Sequence, residues 1–248
     1  MNLKNTVSLS IAILVGFVLL GRSMERFRKE DRFVTVKGFS EREVKSDLAV
    51  WSIYIRIPGN DLSEGSKATE LAKEQIFGFL KKNGIAADEI LQKEIQVSDR
   101  QANEYGPENA SSKYRYVISK LIQVRSSNVD TVLKVSQMAD ELVKSGVTMA
   151  PNNDWQNNGV RFMFKGLNKI KPEMLAEATR NARTAAVEFT KESGTELGKM
   201  RKASQGLFTV VDRDVPSSAQ GESGYFLTGI TDLYKRVRVV VSVDYSIE

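Results

Sequence analysis

The sequence predicts an α+β fold, with about three helices packed on antiparallel sheets, on three observations. Each helical segment carries a single apolar stripe, so each must lie against another layer. The strand segments alternate apolar and polar residues, the pattern of a sheet with one wet face. A helix ending in Lys-x-x-Gly is twice followed by a hairpin-like pair with a long loop: KKNG (81–84) by residues 90–124, and KESG (191–194) by 202–247. The order reads ββαββα then βαββ, a weak internal duplication.

FVTVKGFSE (33–41) reads as a short strand and SDLAVWSIYIRI (46–57) as a stronger one, with Ala49, Trp51, Ile53, Ile55 and Ile57 on one face. Pro58-Gly59 is expected to stop it. Residues 61–83 form the first expected helix, opened by Asp61 and Glu64 at capping-box-like spacing, with Ala68, Leu71, Ala72, Ile76, Phe79 and Leu80 as its stripe. Gly84 suits the left-handed position past its end. EILQKEIQVSDRQ and YRYVISKLIQVRS are two strands joined by the polar ANEYGPENASSK. A second helix covers 128–145, with Val132, Val135, Met138, Ala139 and Leu142 inward and Gly146 after it.

MAPNNDWQNNG is loop chemistry, VRFMFKG (160–166) a strand, and 171–193 a third helix with Pro172 in its first turn. ASQGLFTVVDR reads as one strand and RDVPSSAQGESGYFLTGITD as a long loop. In the last strand, YKRVRVVVSVDYSIE, the apolar set Val237, Val239, Val241, Val243, Tyr245 and Ile247 alternates with Arg236, Arg238, Ser242, Asp244 and Ser246. The arginines of the KRVR run are thereby expected on the wet face.

Residues 33–248 are read as one α+β domain, preceded by a segment of another kind at 1–32. TVSLSIAILVGFVLLG (6–21) has no charge on any face, and predicts one N-terminal transmembrane or signal helix. Val7 to Gly21 is 15 residues, about 22 Å of helix against the ~30 Å hydrocarbon core. That length suits a signal core, whereas the cleavage site Gly21-Arg22-Ser23 is a poor one and favours an uncleaved anchor. Thr6 and the stems of Lys4 and Arg22 add part of the missing length. Val7, Ile11, Leu14, Phe17 and Leu20 are the expected membrane-anchor residues, and the bilayer the expected partner of 6–21.

The charge balance agrees. The chain of 248 residues carries 36 basic and 31 acidic side chains, of which 1–32 hold Lys4, Arg22, Arg26, Arg28, Lys29 and Arg32 against Glu25, Glu30 and Asp31. The remaining 30 basic and 28 acidic residues leave the body nearly neutral, without the clustered basic face that nucleic acid requires. The absence of cysteine and histidine excludes disulfides, thiolate nucleophiles, His-based triads, Cys-ligated zinc and His-ligated metal sites. No two glycines stand at i and i+2, and Ser-x-x-Lys does not occur. GFVLLGRS (16–23) resembles a phosphate loop only by coincidence, and no cofactor is expected. Trp155, Tyr225 and Phe226, in loops rich in small polar residues, are the candidate interface residues. The Asn109-Ala110-Ser111 sequon is common by chance and carries no weight.

VTVKGFSEREVKSDLAVWSIYI resembles the opening of SIMPL domains, the DUF541 family of bacterial envelope proteins. LAEATRNARTAAVEFTKESGTELGKM is similar to that family's alanine-rich helix and Gly-x-x-Leu-Gly, and VRVVVSVDYSI to its closing strand, so the likeness covers about 33–248. Ser46 replaces a usual proline, while Asp47 and Ala49 remain; the replacement is expected to loosen the turn. The resemblance implies an exported or membrane-attached protein, in some cases linked to oxidative-stress defence, and no catalytic residues. Placement of the body in the periplasm follows from it, with a single-pass inner-membrane anchor or, alternatively, a cleaved signal. The positive-inside rule, applied to the five basic residues after the apolar run, points instead to the cytoplasm.

Three readings follow: a non-enzymatic, tethered, self-assembling envelope protein; a binding module for a small molecule, peptide or envelope polymer using the Trp155 and Tyr225 loops; and an enzyme of paired carboxylates. Self-assembly to a homo-oligomer is expected from the sheet edges and long hairpin loops.

Overall fold

A computed structural model describes residues 16, 32–102, 113–150, 159–215 and 231–248. Its elements are β1 (Phe33–Lys45), β2 (Leu48–Gly59), α1 (Leu62–Lys82), β3 (Ile90–Asp99), β4 (Tyr116–Ser126), α2 (Val129–Gln137), α3 (Asp140–Lys144), β5 (Val160–Met163), α4 (Leu167–Ser193), β6 (Leu197–Gln205), β7 (Thr209–Asp212) and β8 (Tyr234–Ile247). The class is α+β with antiparallel sheets, as the alternation and the striped helices predict. Two compact units emerge, the first drawn from 1–42, 168–209 and 237–248, the second from 43–167 and 210–236.

The second unit is built on a sheet in the order β3-β4-β2-β5. β2 lies antiparallel to β4 from Ala49↔Ser126 to Gly59↔Tyr116, and to β5 from Leu48↔Met163 to Trp51↔Val160. Ala49, Trp51, Ile53 and Ile55 fill the core with Ile122, Val124, Ile76, Leu80, Val132, Val135 and Leu142. Pro58 does not end β2. Arg56 N, pointing away from β4, donates to Thr148 O, and Pro58 two residues later faces the same side, beyond the reach of β5. Its missing N–H therefore removes nothing from the β4 ladder.

Asp61 caps α1, its carboxylate accepting from Ser63 N at 2.7 Å and Glu64 N at 3.0 Å. Gly84 follows at φ +90°, in the left-handed region where side chains are strained. The inward face of α1 is Gly65, Thr69, Ala72, Ile76, Phe79 and Leu80, so Leu71, expected in the stripe, is exposed. Gly65 and Thr69 take that place because α1 runs close over β4: a Cβ on Gly65 meets Ile118. The expected helix 128–145 is broken into α2 and α3 at Met138–Ala139. There Ser136 Oγ bonds back to Leu133 O, and Met138 N and Ala139 N tighten to the carbonyls three residues earlier.

The first unit is built on β1-β8-β6, with α4 against one face. Thr35 meets Asp244 while Glu41 meets Arg238, so β1 and β8 run in opposite directions. β6 is antiparallel to β8, and β7 also pairs with β8. Met174, Ala178, Ala182, Ala186 and Thr190 recur every four residues as the buried stripe of α4, against Val36, Val237, Val239, Val241 and Val243. Its small side chains let the helix come down onto Gly38 of β1. α4 starts at Leu167 rather than 171, which places Pro172 inside it. The single strand expected over 203–213 is two, β6 and β7, interrupted at Gly206, whose N–H donates to Val240 O at 2.8 Å. Strand β5 ends at Met163, short of the expected 166, because Lys165 N leaves the ladder for the Asp47 carboxylate at 2.7 Å.

Glu177 of α4 ties that helix to β1. The Ser40 hydroxyl donates to it at 2.9 Å and Arg42 at 3.3 Å, and these bonds, in that order, hold its carboxyl below the usual glutamate range. A depressed folded pKa gives stability that is present above the unfolded value of about 4.3 and lost as the pH falls through the folded one. In a carbon-13 NMR titration, Ser40→Ala raises the Glu177 midpoint more than Arg42→Ala does. An unchanged midpoint in Ser40→Ala removes the hydroxyl as the cause.

Candidate functional site

Val7, Ile11, Leu14, Phe17 and Leu20 lie outside the described residues, as do Trp155, Tyr225 and Phe226. What is described is the pair of loop ends that frame Tyr225 and Phe226, and there the polar chemistry of the second unit concentrates.

The alternation of β8 extends one step back from Val237 to Lys235, which puts a lysine among the buried valines. Lys235 is only 3% exposed and Asp212, at the end of β7, 5%. The Lys235 ammonium donates to Asp212 Oδ1, while Thr231 N and Asp232 N both donate to Oδ2 at 3.1 Å. Arg213 N donates to Tyr234 O at 3.1 Å, and the Arg236 guanidinium to Val215 O. One carboxylate thus joins the end of β7 to the start of β8. Its two oxygens accept from a cation and two amides, which ties the described ends of the two strands together. The wet face predicted for the KRVR arginines is correct: Arg236 and Arg238 alternate with the buried Lys235 and Val237. The lysine of that run was the missed residue, and the alternation itself was its signal.

The turn between β1 and β2 adjoins this base. Ser46 N donates to Leu233 O at 2.9 Å and Asp47 N to Met163 O at 3.0 Å. A proline at 46 has no N–H to give, so the serine that looked like a loosening of the turn supplies a bond across to the loop end. Ser46 Oγ and Asp232 Oδ2 are buried without hydrogen-bond partners among the described residues.

A second buried cation, Lys120 of β4, reaches Glu70 of α1 at 3.3 Å, and Glu70 also pairs with Lys73. The Lys73 bond first, then Lys120, holds the Glu70 carboxyl below its usual range. Lys120 stands opposite Ile95 of the edge strand β3, where Ile95 is 50% exposed and Val97 46%. β3 and β6, at the edges of their sheets, are exposed along most of their length. Among the described residues no group of three or more Asp or Glu side chains is placed to hold a metal ion. No described helix is long and apolar enough to cross a membrane.

None of the curated proteins matches the chain. The family described as SIMPL, protein of unknown function (DUF541), matches residues 34–245, which hold β1, the alanine-striped helix α4 and nearly all of β8. This chain belongs to the SIMPL family.

Proposed function

We propose that the chain is a non-enzymatic protein of the bacterial envelope, tethered to the inner membrane by residues 6–21 with its body in the periplasm, which assembles with copies of itself and serves in stress defence. The observation that carries assembly is the pair of exposed edges. β3 has 10 residues and β6 has 9, and unpaired N–H and C=O groups along such edges template pairing with another chain. The β3 edge adds exposed Leu91, Ile95 and Val97, side chains that pairing takes out of water. Tethering is supported by the uncharged run and its basic flank, and the absence of enzyme chemistry by the lack of histidine and cysteine.

Light scattering of the chain in mild detergent, and of a chain starting at Arg32, tests assembly. Both are expected to exceed the monomer mass at micromolar concentration. Ile95→Lys with Val97→Lys shifts the midpoint of assembly at least about tenfold in concentration, equivalent to ~1.4 kcal/mol. A clean monomer in the unmodified chain overturns the reading.

A further inference from the structure

The sheet of the first unit has one covered face and one open one. Val36, Gly38 and Ser40 of β1 are buried, and α4 lies over Gly38, so Phe33, Thr35, Lys37, Phe39 and Glu41 stand on the opposite face. On β8 the same alternation puts Arg238, Ser242 and Asp244 there. Thr35 Oγ1 donates to Asp244 at 2.8 Å, Arg238 lies over the Phe39 ring at 4.7 Å, and Arg238 also reaches Glu41 at 3.2 Å. The β6 ladder slips on either side of Met200, which sets Lys202 opposite Asp244 and brings Arg201 over the Phe33 ring at 5.6 Å. Among the described residues the open face therefore mixes Lys37, Arg201, Lys202 and Arg238 with two phenylalanines, each 52% exposed, against Glu41 and Asp244, with Glu43 next along β1.

Cations stacked with exposed aromatic rings are the composition of surfaces that sit at a bilayer interface, where rings enter the headgroup level and Lys and Arg meet anionic lipid. The position of this face along the chain points the same way. β1 begins at Phe33, and 11 residues (22–32) separate it from the end of the apolar run at Gly21. Fully extended they span at most about 40 Å. Five of the 11 are basic and three acidic. A short tether turns a weak surface attraction into an intramolecular one at high effective concentration.

We propose that the open face of the β1-β8-β6 sheet docks on an anionic phospholipid surface. The proposal rests on the tethered reading above, and it adds a second membrane contact, dependent on lipid charge and on salt.

The chain has no cysteine, so single-cysteine labels test this on the full-length protein. Ser204→Cys places a fluorophore on the open face, since Ser204 pairs with Ser242. Glu188→Cys places one on an exposed position of α4. The labelled chains are mixed with vesicles of phosphatidylcholine alone or of phosphatidylcholine with phosphatidylglycerol, each containing brominated lipid as quencher. Flotation reads the tether and quenching reads the docking.

The expected result is flotation with both compositions, with quenching at position 204 several-fold greater in the anionic vesicles and little changed at 188. Lys37→Glu with Lys202→Glu abolishes the difference. Flotation with both but equal quenching at 204 overturns docking and leaves the tether standing, as does equal gain at 204 and 188. Flotation only with anionic vesicles overturns the tether and supports docking. Flotation with neither overturns both.

Discussion

Gly38→Ala lowers the stability of the first unit by about 3 kcal/mol or more, the upper end of what overpacking costs. The added Cβ falls 2.1 Å from Ala178 O and 2.3 Å from Ala182 N, both backbone atoms of α4. No rotamer change relieves a clash with backbone, and trimming Ala178 or Ala182 leaves those atoms where they are. α4 must back away from β1, which stretches the Ser40–Glu177 bond and the Arg42–Glu173 pair at 2.7 Å along the same seam. It also uncovers the alanine stripe and Val36. Denaturant titration gives the loss, and hydrogen exchange at the amides of Val237–Tyr245 localises it. Gly65→Ala is the control. Its Cβ meets only the side-chain tip of Ile118, at 2.8 Å, which can turn aside, and alanine gains about 1 kcal/mol of helix propensity over glycine. A Gly38→Ala midpoint no lower than that of Gly65→Ala overturns the close-packing account.

The contrast between these glycines marks how far the sequence is legible. Elements with a periodic signature could be read directly: the period-2 faces of β2 and β8, and the glycines after α1 and α4, whose φ values of +90° and +66° confirm the left-handed ends. β6 before Ala203 was not legible, because LGKMRKASQ is exposed on both faces over most of its length and a strand with no buried face has no alternation to detect. Leu71 was misplaced because an apolar stripe shows which residues prefer burial, while the approach of α1 to β4 selects Gly65 and Thr69 instead. The clamp under the 213–232 loop was half legible. Lys235 falls on the buried face by simple counting, but its partner lies 23 residues away in sequence, and only the β7–β8 pairing brings Asp212 to it.

That clamp carries the second large effect, and its asymmetry is the test of its role. Asp212→Leu leaves the Lys235 ammonium buried with no other hydrogen-bond partner among the described residues, and removes the acceptor of the Thr231 and Asp232 amides. Uncovering one member of a buried pair costs about 3–5 kcal/mol, a large share of the ~5–15 kcal/mol that holds a typical domain together. Lys235→Met is milder, at roughly 1–2 kcal/mol, since the Asp212 carboxylate keeps two amide donors and the methionine keeps most of the buried volume. Asp212→Leu with Lys235→Met recovers much of the loss, because an apolar pair of similar volume replaces an ion pair at little net cost. Its two amides still lack an acceptor, so recovery is incomplete, and hydrogen exchange at Thr231 and Asp232 stays fast in every Asp212 variant. Denaturation of the three variants completes a double-mutant cycle. Equal costs for the two single variants, or a double variant as unstable as their sum, overturns the clamp. If it holds, one buried carboxylate is what joins the end of β7 to Thr231, Asp232 and Lys235 at the start of β8.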